Sequence, residues 1–143
     1  MKGELQERIK PRETFAQRQA KKELKAKRDA VNAKREGIVG DRLKELHAGA
    51  GPGTVVQLGS ELLYLTALSG LQLQIQEQLS TGEKCFTRWM VYGKHDKEFL
   101  GMAPTNRDVQ FGGVSISFMA DEKLTQEIHY WDMVALLQQI QAP

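Results

Sequence analysis

The sequence contains a single cysteine, Cys85, in 143 residues. One cysteine excludes an internal disulfide, so nothing in the chain requires an oxidising compartment. No apolar run approaches the ~20 residues of a membrane helix, and the first ten residues mix both charge signs instead of leading into an apolar signal core. We therefore expect a soluble protein of the cytoplasm or another reducing compartment, or of an organelle if an upstream targeting segment has been removed.

The sequence also lacks the patterns of several kinds of site. Its three histidines, His47, His95 and His129, have no metal-ligand spacing, and one cysteine cannot build a zinc knuckle. The glycine-rich run 48–53 lacks the lysine and the strand-then-helix context of a phosphate-binding loop. No nucleophile triad has support in the sequence. We therefore predict neither a metal site nor a bound cofactor.

Charge is distributed unevenly along the chain. Residues 1–50 carry 14 Lys or Arg against 8 Asp or Glu, a balance of +6, whereas residues 51–143 carry 6 against 10, a balance of −4. Residues 13–36 contain no Gly or Pro and are rich in Lys, Arg, Gln and Ala, which predicts one long helix. So polar a helix gains little from packing, and we expect it either to bind an acidic protein or nucleic-acid phosphates, or to be an ordinary solvated helix of mixed charge.

The remaining pattern predicts helices followed by antiparallel strands, which defines an α+β fold. Apolar spacing predicts a short helix at 41–47 and an amphipathic helix at 55–68 that ends at Gly70. Alternation of Leu and Ile with Gln from residue 71 predicts the first strand. The later expected elements are strands at 84–92, 108–119 and 123–131, turns at 80–83 and 120–122, and a last helix at 132–141.

Two separated motifs carry a resemblance to a known family. Their matching positions are Arg88 and Trp89, Gly93 and His95, Glu98 to Gly101, Pro104 to Asn106, then Tyr130 to Asp132 and Leu136 to Gln139. In this order they resemble the SnoaL-like polyketide cyclase family. The resemblance implies the cone-shaped α+β roll shared with ketosteroid isomerase, scytalone dehydratase and nuclear transport factor two, in which a curved antiparallel sheet packs on helices. We expect such a roll at 48–143, preceded by a charged helical arm at 1–47.

The resemblance also implies a function for the roll. Family members enclose an apolar pocket, in which an acidic side chain and a histidine move a proton during ring closure of a hydrophobic carbonyl compound, without a cofactor. Asp132 matches the acidic position, although an Asp at a strand-to-helix junction is also an ordinary helix N-cap. The assisting candidates are His129, which lies two places later than the family's histidine, and His95, which matches its Gly-x-His turn.

Four further residues are candidates for substrate binding. Glu127 shares a face of the predicted fourth strand with His129. Trp89 is expected either to line the pocket or to pack in the core. Phe99 and Met102 are expected to lie across the mouth of the roll, or to form a tight plug with no ligand beneath it. The alternative to an enzyme is a non-catalytic scaffold, homodimeric or within a larger assembly, that attaches through its basic helix.

Overall fold

The computed structural model describes residues 11–48 and 62–143. The chain divides into two compact units, Met1–Val31 and Asn32–Pro143. In the first unit every described side chain is exposed, including Phe15 and Leu24. The second unit contains the sheet and the hydrophobic core.

The first element is a single helix, α1, that spans Phe15–Ala48. The prediction of two helices, at 13–36 and 41–47, was therefore wrong about the break between them. The helix continues through this segment because Val39 and Leu43 are fully buried against the sheet. Gly40 is buried too, and an added Cβ there would come within 2.9 Å of the Ile75 side chain. Close approach to the sheet explains why a residue of low helix propensity stands inside this helix.

A 3₁₀ helix, Leu63–Thr66, leads into the first strand. The prediction of a helix at 55–68 is thus wrong over its described part, because a strand already begins at Leu68. Residues 55–61 of that predicted helix lie outside the described residues, as does most of the glycine-rich run. Five of the seven residues from Leu62 to Leu68 are buried, and a largely apolar run without strict alternation does not distinguish a helix from a buried strand. Gly70 does not end a helix but stands at a bulge in the strand with φ +61°.

Four antiparallel strands form one curved sheet in the order β1-β2-β3-β4. Their bounds are β1 Leu68–Thr81, β2 Lys84–His95, β3 Asp108–Ala120 and β4 Lys123–Trp131. The α+β class, the later strands and both hairpin turns are confirmed. Bulges in β1 and β4 bend the sheet.

The last helix, α2, spans Met133–Gln141 and buries Leu136 and Ile140. Gln139 attaches it to the free edge of β3, beyond the end of β4. The backbone N–H of Gln110 donates to Gln139 Oε1 at 2.9 Å, and Gln139 Nε2 donates to the Gln110 carbonyl at 2.7 Å. The side-chain amide thus pairs with β3 as a neighbouring strand would. Within the described residues, neither helix combines the length and hydropathy that crossing a bilayer requires.

Candidate functional site

The inner face of the sheet changes from polar to aromatic along the strands. Near the β1–β2 hairpin it carries two polar rows, set by the strand register: Ser80, Cys85, Ser117 and Glu127, then Gln78, Thr87, Ser115 and His129. The following rows carry Ile75, Trp89, Gly113 and Trp131, then Leu73, Val91 and Phe111. A buried sheet face is usually apolar throughout, so the polar rows require a specific explanation.

A chain of contacts on this face connects Trp89 to Glu127. Trp89 Nε1 donates to Ser115 Oγ at 2.9 Å, and Ser115 Oγ lies 2.7 Å from His129 Nδ1. Because an indole N–H can only donate, the serine hydroxyl accepts from Trp89, and its own O–H is assigned as the donor to Nδ1. This assignment leaves the neutral imidazole's proton on Nε2, which lies 3.8 Å from Glu127 Oε2.

Glu127 is the carboxylate of the polar rows. Its side chain is 19% exposed, and Arg42 of α1 donates to its Oε1 at 3.3 Å. The adjacent His129 ring and the Arg42 charge hold the pKa of Glu127 below its usual value, although partial burial acts in the opposite direction. At 3.8 Å the histidine and carboxylate atoms exceed hydrogen-bond length, so they interact electrostatically.

A second buried histidine lies at the end of α1. His47 Nδ1 donates to the Leu43 carbonyl at 2.8 Å, and its Nε2 accepts from the Tyr64 hydroxyl at 2.7 Å. Burial is the main cause that lowers the pKa of His47, and the charge of nearby His129 lowers it further. Burial also raises the pKa of Tyr64. Both groups are therefore neutral at pH 7, and His47 responds to the protonation of His129.

The aromatic end of the inner face is filled by its own side chains. The centroid of the Tyr64 ring lies 4.6 Å from that of the Phe111 ring and 4.8 Å from that of the Trp131 ring. Trp89 is fully buried and lies 5.7 Å from the His47 ring. Trp89 therefore packs in the core and holds Ser115, while His129 and Glu127 keep 9% and 19% of their side-chain surfaces exposed.

Asp132 lies away from this network. It is exposed, and its Oδ1 accepts from the Ala135 backbone N–H at 2.9 Å, as a helix N-cap does. Its own N–H donates to the Gly112 carbonyl at 2.9 Å. An exposed carboxylate lacks the apolar surroundings on which the expected acid/base role of Asp132 depends.

The other expected site residues lie in the β2–β3 connection. His95 is fully buried at the end of β2, and its Nδ1 accepts from the Thr105 N–H at 3.3 Å, which fixes the loop 96–107. Phe99 and Met102 exchange two backbone hydrogen bonds of 3.0 and 2.9 Å. Phe99 is buried and contacts the Trp131 ring, while Leu100 between them is 61% exposed. The loop thus packs Phe99 inward against the aromatic cluster.

Ser115, Arg42, His47 and Tyr64 were not expected as site residues. A signal for Ser115 exists in the sequence, where Val, Ser, Ile, Ser and Phe alternate at 114–118. Ordinary patterning would turn the apolar set inward, yet Ser115 and Ser117 are the buried ones. Arg42 and His47 give no local signal, because the side chains that they contact, Glu127 and Tyr64, are distant in the chain.

In comparisons with known proteins, the family profile named SnoaL-like polyketide cyclase matches residues 60–140. A protein named as a SnoaL-like polyketide cyclase from Jannaschia sp. CCS1 superposes with a TM-score of 0.62 at 14% identity, covering 79% of this chain and 95% of its own. AclR from Streptomyces galilaeus, named as a hydroxylase, gives 0.61 at 19% identity, covering 76% and 85%. TsrD from Streptomyces laurentii gives 0.59 at 18% identity, covering 78% and 97%. A search of curated proteins returned no significant match.

Proposed function

Because this chain belongs to the SnoaL-like polyketide cyclase family, we propose that it is a cofactor-free cyclase or isomerase that acts on a hydrophobic carbonyl compound by acid/base catalysis. The family match and the fold give a domain of the small-molecule-binding, cyclase or isomerase type. The proposal adds the reaction and assigns it to the polar rows of the inner face, with Glu127 and His129 as the reacting pair.

The proposed chemistry follows from the geometry of this pair. Glu127 is ionised at neutral pH, so its carboxylate can accept a proton from a carbon beside the substrate carbonyl, although its lowered pKa makes it a weaker base than an unpaired glutamate. His129 presents Nε2–H, which can donate to the oxygen that becomes an enolate or alkoxide. Once the new bond has formed, protonated Glu127 returns its proton to the product. Ser115 keeps Nδ1 occupied and thereby orients the donor.

The observation that carries the proposal is the contact chain from Trp89 through Ser115 and His129 to Glu127. A buried indole and a buried serine have no need, for packing alone, of a largely buried histidine beside a carboxylate. Their combined effect is to fix the orientation and tautomer of one imidazole, which is how proteins position a catalytic histidine.

Hydrogen–deuterium exchange tests this role without knowledge of the natural substrate. A panel of hydrophobic 1,3-diketones and aromatic ketones is incubated with the protein in D₂O, and exchange at the carbon beside the carbonyl is followed by NMR. Glu127→Gln should lower the catalysed rate by ~10²-fold or more while the fold is kept. Asp132→Asn is the matched control and should keep the rate. Unchanged exchange in Glu127→Gln, or loss of exchange in Asp132→Asn alone, would reject the assignment to Glu127.

A second function, attachment through the basic helix, is supported by its surface. Arg18, Lys21, Lys22, Lys25 and Arg28 recur at spacings of three and four residues, so they share one side of α1, and all are exposed. We propose that this side binds nucleic-acid phosphates. Binding of a fluorescent DNA duplex should weaken with salt, and replacing Lys21, Lys22 and Lys25 by Gln should reduce the log-log salt slope by about 2.7.

A charge-matched control separates this site from general basicity. Replacing Lys94, Lys97 and Lys123 by Gln changes the net charge equally at exposed positions of the sheet unit and should leave the slope unchanged. Equal effects of the two triple variants, or no binding to the duplex, would contradict a phosphate site and leave an acidic protein as the partner.

A further inference from the structure

Three buried polar atoms near the β1–β2 hairpin have no hydrogen-bond partner among the described residues. They are Ser80 Oγ, Ser117 Oγ and Arg35 Nε. Ser117 is fully buried and Ser80 is 8% exposed. A buried polar group without a partner costs free energy, and folded proteins contain few of them. Three such atoms at one end of the inner face therefore require an explanation.

The strand register places the two serine hydroxyls on either side of one residue. Ser80 and Ser117 both pair with Cys85, which is buried between them, and all three side chains are small. Neighbouring strands lie ~4.8 Å apart, so the backbones at Ser80 and Ser117 are separated by about 10 Å. Glu127 follows on the next strand and completes the row. The row thus runs from two unpartnered hydroxyls to the proposed catalytic base.

Arg35 of α1 brings a positive charge to the Ser80 end of this row. Its Nη1 donates to the carbonyl of Gly82, two residues beyond Ser80 in the β1–β2 turn. Arg35 forms no ion pair with a described residue, whereas the adjacent Lys34 pairs with Glu122. A guanidinium N–H that is shielded from water forms its strongest hydrogen bonds with anionic oxygens. The charge and the unpartnered Nε of Arg35 therefore both favour an anion.

We propose that Ser80, Ser117 and Arg35 form a carboxylate subsite, so that the substrate of the proposed reaction is a keto acid. This inference rests on the proposed function and adds the substrate class to it. A carboxylate only accepts hydrogen bonds, and its two oxygens can accept from several donors at once. It therefore supplies the acceptors that the two hydroxyls and the guanidinium lack. Two O–H···O bonds of ~2.7 Å with a carboxylate between them span most of the separation between the serines.

The same row sets the length of the substrate. Ser80 and Glu127 are three strand spacings apart, or ~14 Å between their backbones. This separation suits a carboxylate and a carbonyl group at opposite ends of a bicyclic aromatic compound. Repulsion between the substrate carboxylate and Glu127 is limited by this distance and by Arg42, which donates to Glu127 Oε1 at 3.3 Å.

Calorimetry with two matched probes tests the subsite independently of catalysis. The probes are 6-acetyl-2-naphthoic acid and 6-acetyl-2-naphthamide, which are similar in shape, but only the acid is an anion at neutral pH. The wild type should bind the acid ~10-fold or more tightly than the amide, because hydrogen bonds to a charged group are the stronger ones. Arg35→Gln should remove this preference. Lys34→Gln is the matched control, because it removes the same charge from the adjacent position of α1, and it should keep the preference.

The serines are tested by binding and by the stability of the ligand-free protein. Ser80→Ala and Ser117→Ala should each weaken binding of the acid by ~10-fold, whereas Thr81→Ala, on the opposite face of β1, should not. Both serine variants should also raise the urea midpoint of the free protein, because each removes a buried hydroxyl that has no partner among the described residues. A hydroxyl that served the fold alone would give a lower midpoint.

The outcomes distinguish the subsite from the proposed reaction. Glu127→Gln should lose deuterium exchange but bind the acid at least as tightly as the wild type, so a failure of the catalytic assignment is recognised separately. Equal affinity for the two probes, a preference that survives in Arg35→Gln, or one that is lost in Lys34→Gln would overturn the carboxylate subsite. A lower urea midpoint in both serine variants would overturn it as well.

Discussion

Replacing either of two adjacent glycines on β3 with alanine should change the free energy of unfolding by very different amounts. Gly113 lies opposite Trp89 in the register, and an added Cβ would come within 2.3 and 2.4 Å of two indole carbons and within 2.7 Å of the Tyr130 carbonyl oxygen. At Gly112 the nearest atom to an added Cβ is Met90 Sδ, at 3.1 Å. Neither glycine has a positive φ, so Ala suits the backbone at both positions and only the space differs.

The size of the difference depends on which neighbour can move. Trp89 is fully buried, and Ser115 holds its Nε1, so the ring has no alternative position. Forcing a methyl group into such a core costs ~1–3 kcal/mol, against a gain of about 0.5–1 kcal/mol when Ala replaces Gly in a strand. Severe overlap places Gly113→Ala at the upper end, a net loss of about 2 kcal/mol. Met90 is a flexible side chain, so Gly112→Ala should stay within ~0.5 kcal/mol of the wild type.

Urea unfolding followed by far-ultraviolet circular dichroism measures both variants without relying on the fluorescence of the perturbed tryptophan. A lower midpoint at unchanged slope is expected for Gly113→Ala alone. The NMR signal of the Trp89 indole N–H should shift in the same variant, because its bond to Ser115 is disturbed. Equal losses at both glycines, or none at Gly113, would show that Trp89 does not need the space that Gly113 leaves.

Two further predictions concern single side chains. The pKa of His47 is lowered in the folded protein, so the unfolded chain binds a proton at His47 more readily. The contribution of neutral His47 to stability is therefore complete above pH 6.5 and is lost as pH falls below it, by at most about 1.4 kcal/mol per pH unit. The lowered pKa of Glu127 acts in the same direction below pH 4.5. Urea unfolding at pH 7.5 and 5.5 should show the loss in the wild type and a smaller one in His47→Gln, and equal losses would contradict the role of His47. Asp132→Ala should destabilise the protein by ~1 kcal/mol, because it removes the N-cap of α2, whereas Asp132→Asn should be nearly neutral, because Asn can also cap a helix. Thermal unfolding of the two variants tests this, and equal stability of both would show that the side chain at 132 does not cap α2.

The sequence was sufficient for the elements whose signals are local. Alternating apolar residues bounded by Gly, Asp and Glu predicted the strands after residue 84 and their turns, and the motif 130–139 predicted α2. Local sequence signals gave wrong helix boundaries where tertiary packing determines the secondary structure. Gly40 reads as a helix terminator in isolation, but its contact with Ile75 keeps it inside α1. Leu68 reads as part of a helix, but it begins β1 because both sides of that segment are buried.

The residues of the candidate site could likewise be predicted only where their signal is local. The shared face of Glu127 and His129 follows from the period of a strand, and the structure brings them to 3.8 Å. The contacts of Glu127 with Arg42 and of His129 with Ser115 join residues 85 and 14 positions apart, which no local pattern encodes. Asp132 shows the converse, because one residue type suits both an acid/base role and a helix cap, and only its exposure and its bond to Ala135 indicate which geometry it has.

The polar interior and the apolar exterior of the sheet have a common origin in β3. Phe111 and Met119 of β3 face inward, so the strand register cannot slip to bury Ile116 and Phe118 without exposing these two side chains. Ser115 and Ser117 therefore occupy buried positions where apolar side chains would stabilise the isolated domain more. The apolar side chains on the opposite face of β3 would contribute the corresponding stabilisation only if another surface covered them. The polar interior rows and the apolar exterior rows of the sheet are thus two consequences of one alternation in the sequence.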